Sequence, residues 1–191
     1  MRFLRYGIDL ERLEAKDLEM VRQWRNHDAV RLRMQYQEII SPERQAVWFK
    51  TLDPYNDWYF VAAIDGSPFA LFHIKKISWE NKSGEAGGFV GNPELIGGIE
   101  PGLGILALMD FAFFSLGLNS LEAKYHPGYT EIATLNLQLG YEIFAEESGG
   151  FVRARVTSAR YLEATEKLRK AAQRAGRVLC MKGNVAAAVA D

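Results

Sequence analysis

The sequence predicts an α/β fold: a mixed, mainly antiparallel sheet flanked by helices, with one βαβ crossover. Two observations carry this. In WYFVAAIDGSPFALFHIKKI two β-rich runs meet at Asp65-Gly66, a strong two-residue hairpin signal. Further on, IGGIEPGLGILALMDFAF, from Ile96 to Phe113, sets a glycine-rich loop before an apolar helical run, and the strand-like SLEAKYH follows.

The other elements take their places around these. YGIDLERL reads as the first strand, and AKDLEMVRQWRNH as a helix with Leu18, Val21 and Trp24 at helical spacing. AVRLRMQYQEI is amphipathic and reads as a short helix or a loop. Ser41 is an N-cap with Pro42 in the first helical position, and the helix it starts places Val47, Trp48 and Leu52 on one side. GEAGGFVGNP is a third antiparallel run, ended by Asn92-Pro93. After the glycine loop come a helix from about Leu103 to Leu116, the strand SLEAKYH, and a helix from Thr130 to Leu139 closed by Gly140. YEIFAEE and FVRARVT form a closing hairpin, and SARYLEATEKLRKAAQRAG is a final helix capped by Ser158.

Composition narrows the function. A chain of 191 residues with 48% hydrophobic side chains builds one domain, expected over 1–176, with 177–191 as a C-terminal tail ending in NVAAAVAD. With 23 basic and 24 acidic side chains there is no net pull toward nucleic acid or an anionic membrane, so a small molecule or a protein is the expected partner. One cysteine, Cys180, and three histidines make no disulfide framework and no zinc pattern. No stretch approaches the roughly 20 apolar residues of a membrane span, and Met1 to Leu10 lacks a signal-type apolar region. A cytoplasmic protein without a metal is expected.

Three readings of the glycine loop compete. Gly97 and Gly102 have P-loop spacing, but Leu103-Gly104 stands where Lys-Ser/Thr is needed, and that reading fails. Gly102, Gly104 and Ala107 fit the dinucleotide pattern, with Glu122 downstream for a ribose, yet GNPELIGGIEP separates the glycines from the nearest strand. The third reading needs only backbone: a loop whose following helix offers free N–H groups and a positive dipole end to a pyrophosphate.

In that setting the run from Glu85 to Tyr141 resembles the core of the Gcn5-related N-acetyltransferase family, where strand, pyrophosphate loop, helix, strand, helix and LG(Y/F) follow in this order. MDFAFFSLGLNSLEAKYH is similar to the family's helix-to-strand passage. VRQWRN and ISPERQAVWFKTL resemble the branch acting on nucleotide-linked amino sugars and its sister branch acting on ribosomal-protein N-termini. The chain departs from the family at Ile99 and Glu100-Pro101, which replace the usual loop residues, and at Asn136, where a tyrosine is common.

The resemblance implies acetyl-CoA as cosubstrate and direct attack by a neutral amine. Phe89, Val90 and Gly91 are then the acetyl-CoA contacts, with the oxyanion donor on their backbone, and Gly102, Leu103, Gly104 and Ile105 hold the pyrophosphate. Glu85 is the expected base and Tyr129 the acid, with Tyr125 second. His126 reads as a surface or packing residue and His73 as core. Trp24 and Asn26, at the end of the first helix, are expected to bind substrate. A small-molecule amine, first a nucleotide-linked amino sugar, is the expected acceptor. A protein N-terminus is the alternative, and a catalytically inactive module binding an acyl-CoA or a protein is a third reading. The charge-rich final helix reads as a solvated surface or a homodimer contact.

Overall fold

Two tight hairpins organise the first half of the chain. In one, Asp65 and Gly66 take φ of 48° and 77°, joining β3 (Trp58–Ile64) to β4 (Ser67–Ser78). In the other, Tyr6 and Gly7 take φ of 59° and 77°, joining β1 (Arg2–Arg5) to β2 (Ile8–Arg12). The expected first strand, YGIDLERL, is β2 with the turn before it, and the additional strand β1 is hidden in the sequence because tyrosine occupies a turn position that usually falls to Asn, Asp or Gly.

The computed structural model describes residues 1–189, with side chains through position 176. Helices α1 (Leu18–Asn26), α2 (Asp28–Arg31) and α3 (Pro42–Thr51) follow β2. Beyond β4 come β5 (Ser83–Val90), α4 (Glu100–Asp110), β6 (Ser120–Tyr125), α5 (Thr130–Gln138), β7 (Glu142–Glu146), β8 (Val152–Thr157) and α6 (Ser158–Val189). Ser41 caps α3 as expected, its hydroxyl accepting from the Arg44 N–H at 3.3 Å. Val47 does not share the buried side of α3: it is 62% exposed, and Trp48, Phe49 and Leu52 make the contact. The cap of α6 is Thr157 rather than Ser158, its Oγ1 accepting from the Arg160 N–H at 3.2 Å. Of the expected tail, 177–189 continue α6 as backbone, and 190–191 lie outside the described residues.

Among the described residues eight strands form one sheet in the order β1-β2-β3-β4-β5-β6-β8-β7, antiparallel except for β5 with β6. Strand alternation gives the sheet two apolar faces. One carries Ile8, Leu10, Phe60, Phe72, Ile74 and Leu121 beneath α4 and α6. The other carries Tyr59, Val61 and Leu71 beneath α1 and α3. Gly104 lets α4 approach closely, because a Cβ there would lie 2.5 Å from the Phe72 ring.

The helix α4 starts at Glu100, three residues before its expected start, since Pro101 suits the first turn. It ends at Asp110 and continues as a five-residue π-helical segment, Phe111–Ser115. Asp110 is 1% exposed and held from the β1–β2 hairpin and from α6. It accepts from the Tyr6 hydroxyl at 2.6 Å, the Tyr161 hydroxyl at 2.8 Å and Arg5 Nε at 3.0 Å, and Arg169 Nε lies 3.1 Å away. Burial and the Asp110 charge push both tyrosine hydroxyls up. Asp110→Ala leaves two guanidinium groups and two buried hydroxyls unmatched and is expected to destabilise the protein by about 3–5 kcal/mol in urea denaturation.

Candidate functional site

The sheet opens between β5 and β6. Their parallel pairing covers Ser83, Gly84 and Glu85 against Ser120, Leu121 and Glu122. Beyond this β5 stays paired with β4 as far as Val90, while β6 stays paired with β8 as far as Tyr125. The Gly91 N–H donates to the Phe69 carbonyl at 2.7 Å, so alternation turns the polar groups of Phe89 and Gly87 toward β4. The Ala86 N–H closes the parallel pairing at Glu122, and the polar groups of Gly88 and Val90 face the split. Of the expected backbone contacts Val90 has a donor to offer there; Gly91 has none, because its N–H is already bonded.

At the outer end of the split stands the start of α4. Among the described residues the N–H groups of Ile99, Glu100 and Gly102 have no protein acceptor, and Leu103 donates to Ile99 at 3.0 Å. Gly102 opens onto empty space, Leu103 and Gly104 face the core, and Ile105 packs against its edge. The donors left free for the expected pyrophosphate are therefore confined to the first turn, while Leu103 and Gly104 face inward. The Glu100 carboxylate folds back over Gly98, where a Cβ would overlap its Oε2. A negative charge of the protein's own thus stands beside these free donors. Glu122 lies on β6, bound by Arg153 and by Arg155 at 2.6 Å, which removes it from the ribose role of a dinucleotide site.

Glu85 is the last β5 residue paired with β6. Burial works against its charged form, but Lys75 at 2.7 Å and Lys76 at 3.0 Å outweigh this and hold its carboxyl below the usual range. Tyr129 precedes α5, with its hydroxyl 3.4 Å from the Leu32 carbonyl and its ring 5.3 Å from the Arg33 guanidinium. Burial raises the Tyr125 hydroxyl. His126 accepts the Gly128 N–H at 3.1 Å and packs between Tyr129 and Phe151. Asn136 donates to the Ile132 carbonyl at 2.9 Å within its own helix.

Two expected substrate contacts take other roles. The Asn26 amide both donates to and accepts from the Ile40 backbone at 2.8 Å, so it anchors the loop after α2. Trp24 packs flat on Gly91, leaving no room for a Cβ, and joins Phe89 in the second apolar cluster. It walls the end of β5. His73 packs on Gly87 and on the Tyr59 ring, 5.0 Å away, within the sheet rather than in its deepest core. Among the described residues no cluster of His, Cys, Asp and Glu has the makings of a metal site. None of the helices described is long and apolar enough to cross a membrane.

A mainly antiparallel sheet of eight strands that splits at its one parallel pair, with a helix start at the mouth, is the fold of the Gcn5-related N-acetyltransferases. Among solved structures, spermidine N-acetyltransferase from Vibrio cholerae in complex with CoA and spermine is 18% identical, with a TM-score of 0.71 over 82% of this chain and 98% of that one. An uncharacterized protein from Bacillus halodurans is 12% identical, with a TM-score of 0.76 over 90% of this chain and 97% of that one. A domain from Methanocaldococcus jannaschii is 15% identical, with a TM-score of 0.67 over 78% and 97%. No family model and no curated protein matches the chain. At these identities the likeness establishes the fold.

Two outcomes follow from this geometry. Glu100→Gln removes an anion from the helix start and is expected to tighten CoA binding by about 0.3–1 kcal/mol in calorimetry. Burial, with Lys75 adding to it, pushes the His73 imidazole down to about 3, against roughly 6.5 in an unfolded chain. The unfolded state therefore binds an extra proton between these values, and the His73 contribution to stability is lost as pH falls from about 6.5 toward 3. His73→Gln should reduce the stability difference between pH 7 and pH 5 by about 1–2 kcal/mol, read from urea denaturation.

Proposed function

We propose that this protein is an acetyl-CoA-dependent N-acetyltransferase acting on a primary amine. The observation that carries the reading is the split between β5 and β6, with the free donors of Ile99, Glu100 and Gly102 at its outer end. An extended pantetheine arm matches the open edge of β5, and a pyrophosphate matches the helix start.

Acetyl-CoA supplies an activated acyl carbon. The amine attacks it directly, the carbon–sulfur bond breaks, one proton leaves the amine and one reaches the departing sulfur. The chain's part is positioning and charge. The N–H groups of Gly88 and Val90 are the backbone donors available for an oxyanion. Glu85, tied to two lysines, is a weak base and serves best through a water molecule. Tyr129 is the proposed acid, its hydroxyl held only by a long 3.4 Å bond to the Leu32 carbonyl.

For the acceptor, a nucleotide-linked amino sugar is the first reading. A polyamine is the second, favoured by the spermine bound in the Vibrio cholerae structure. The chain is proposed to form a homodimer, and a dodecameric structure is known for the Vibrio cholerae spermidine N-acetyltransferase.

The test is calorimetric titration with acetyl-CoA against desulfo-CoA and NAD, followed by transfer assays with sugar nucleotides, polyamines and peptide amines. Micromolar acetyl-CoA binding and amine acetylation are expected. Binding without transfer to any amine would turn the reading toward an acyl-CoA-binding module. Tyr129→Phe is expected to lower kcat by roughly 100-fold with KM little changed, and an unaltered kcat removes Tyr129 from the acid role.

A further inference from the structure

The helices α1 and α3 cover only part of the second sheet face. Where β5 and β6 part, the uncovered portion holds a cavity of about 280 Å³ whose charged walls are Lys76, Glu85, Glu122, Lys124, Glu147 and Arg153. Every carboxylate in this wall is already engaged. Lys75 and Lys76 share Glu85, Arg153 and Arg155 share Glu122, and Lys124 binds Glu147 at 2.6 Å. The wall itself is balanced, with three cations (Lys76, Lys124, Arg153) against three carboxylates (Glu85, Glu122, Glu147), and the two cations that pair with its carboxylates from outside it, Lys75 and Arg155, bring the cluster to a surplus of two positive charges.

The surplus is local, since the whole chain carries a net charge of −1. It is also distributed suitably. Arg153 and Arg155 present guanidinium groups on one strand, and Lys76 and Lys124 present ammonium groups on either side of the split. Each surface ion pair alone is worth little, because Lys76 is 72% and Arg155 54% exposed. Together they make a field that repels a second ammonium group and attracts an anion. The lost hydration of an incoming phosphate is replaced by charge-assisted donors.

We propose that this cavity binds a phosphate group of the acceptor, so that the amine acetylated belongs to a phosphate-bearing molecule. The proposal rests on the acetyltransferase reading and narrows its acceptor. Glu85 and Glu122 form both the last parallel pair and the cavity wall, which puts the phosphate site beside the point where the acyl group would lie. A surplus of two charges matches a phosphate ester, which carries about −1.5 to −2 at neutral pH. A polyamine brings further positive charge to a cluster whose carboxylates are already paired.

The experiment titrates protein saturated with CoA, so that the helix start is filled, with 2-aminoethyl phosphate, ethanolamine and spermidine. The phosphate is expected to bind roughly tenfold more tightly than either other amine, with the preference shrinking as salt rises. Lys124→Gln combined with Arg155→Gln should reduce the preference to about twofold or less. If that double variant fails to fold, the exposed Lys76→Gln alone should reduce it by about threefold. Tighter binding of spermidine, equal binding of ethanolamine, a preference that survives the substitutions, or no binding of the phosphate up to about 10 mM overturns the proposal. If CoA itself does not bind, the acetyltransferase reading fails, and the same three titrations on the free protein still decide whether the cavity takes a phosphate.

Discussion

The carboxylate of Asp110 sits where the N-terminal hairpin, α4 and α6 meet, and it accepts from or pairs with Tyr6, Arg5, Tyr161 and Arg169. A buried charge is tolerated only when its partners are held in place, so this anchor constrains three elements at once. It fixes α4 across β2 and β4 and thereby aims the start of α4 at the open end of the split. Gly176 packs α6 against the Tyr6 backbone so closely that a Cβ there would overlap it, which fastens the last helix to the first turn.

The split has a simple cause in chain geometry. β5 is committed to β4 along its whole length, whereas β6 turns toward β8 and meets β5 over one short stretch. Backbone groups on the free edge of β5 are then left for an extended ligand, an arrangement that sheets normally hide. Trp24 and Phe89 close one end on the apolar side, and the ion pairs of Glu85 and Glu122 close the other. The two ends differ in polarity because α1 and α3 cover only one of them.

The loop after α2 is held by side chains of which one, Asn26, was expected from the sequence to bind substrate. Asn26 grips Ile40, Arg25 donates to the Tyr36 carbonyl at 2.7 Å, and Arg33 reaches Glu131 at 2.8 Å. Through Arg33 and Tyr129 the loop rests on the start of α5, beside the site. Its exposed Leu32 and Ile39, 50% and 61% open, face solvent at that edge.

Much of the fold was legible in local pattern. The Asp65-Gly66 hairpin, the Ser41-Pro42 start of α3, the crossover through α4 and the Gly140 stop depend on short-range sterics and capping, which a single sequence displays. The expected order missed one strand because Tyr6 is an unusual turn residue. The site was legible as a region, the GGFV strand and the glycine loop. It was not legible atom by atom, because which N–H faces the split depends on the register with β4, and which residue of α4 faces outward depends on Phe72 beneath Gly104. Asp110, the engagement of Asn26 and the charged cavity of Glu85, Glu122, Lys124 and Arg153 join residues far apart in the chain. The sequence by itself determined the elements and their order; only the tertiary structure decided which polar groups are matched and which remain free, because long-range pairing is set by packing and leaves no periodic trace in the chain.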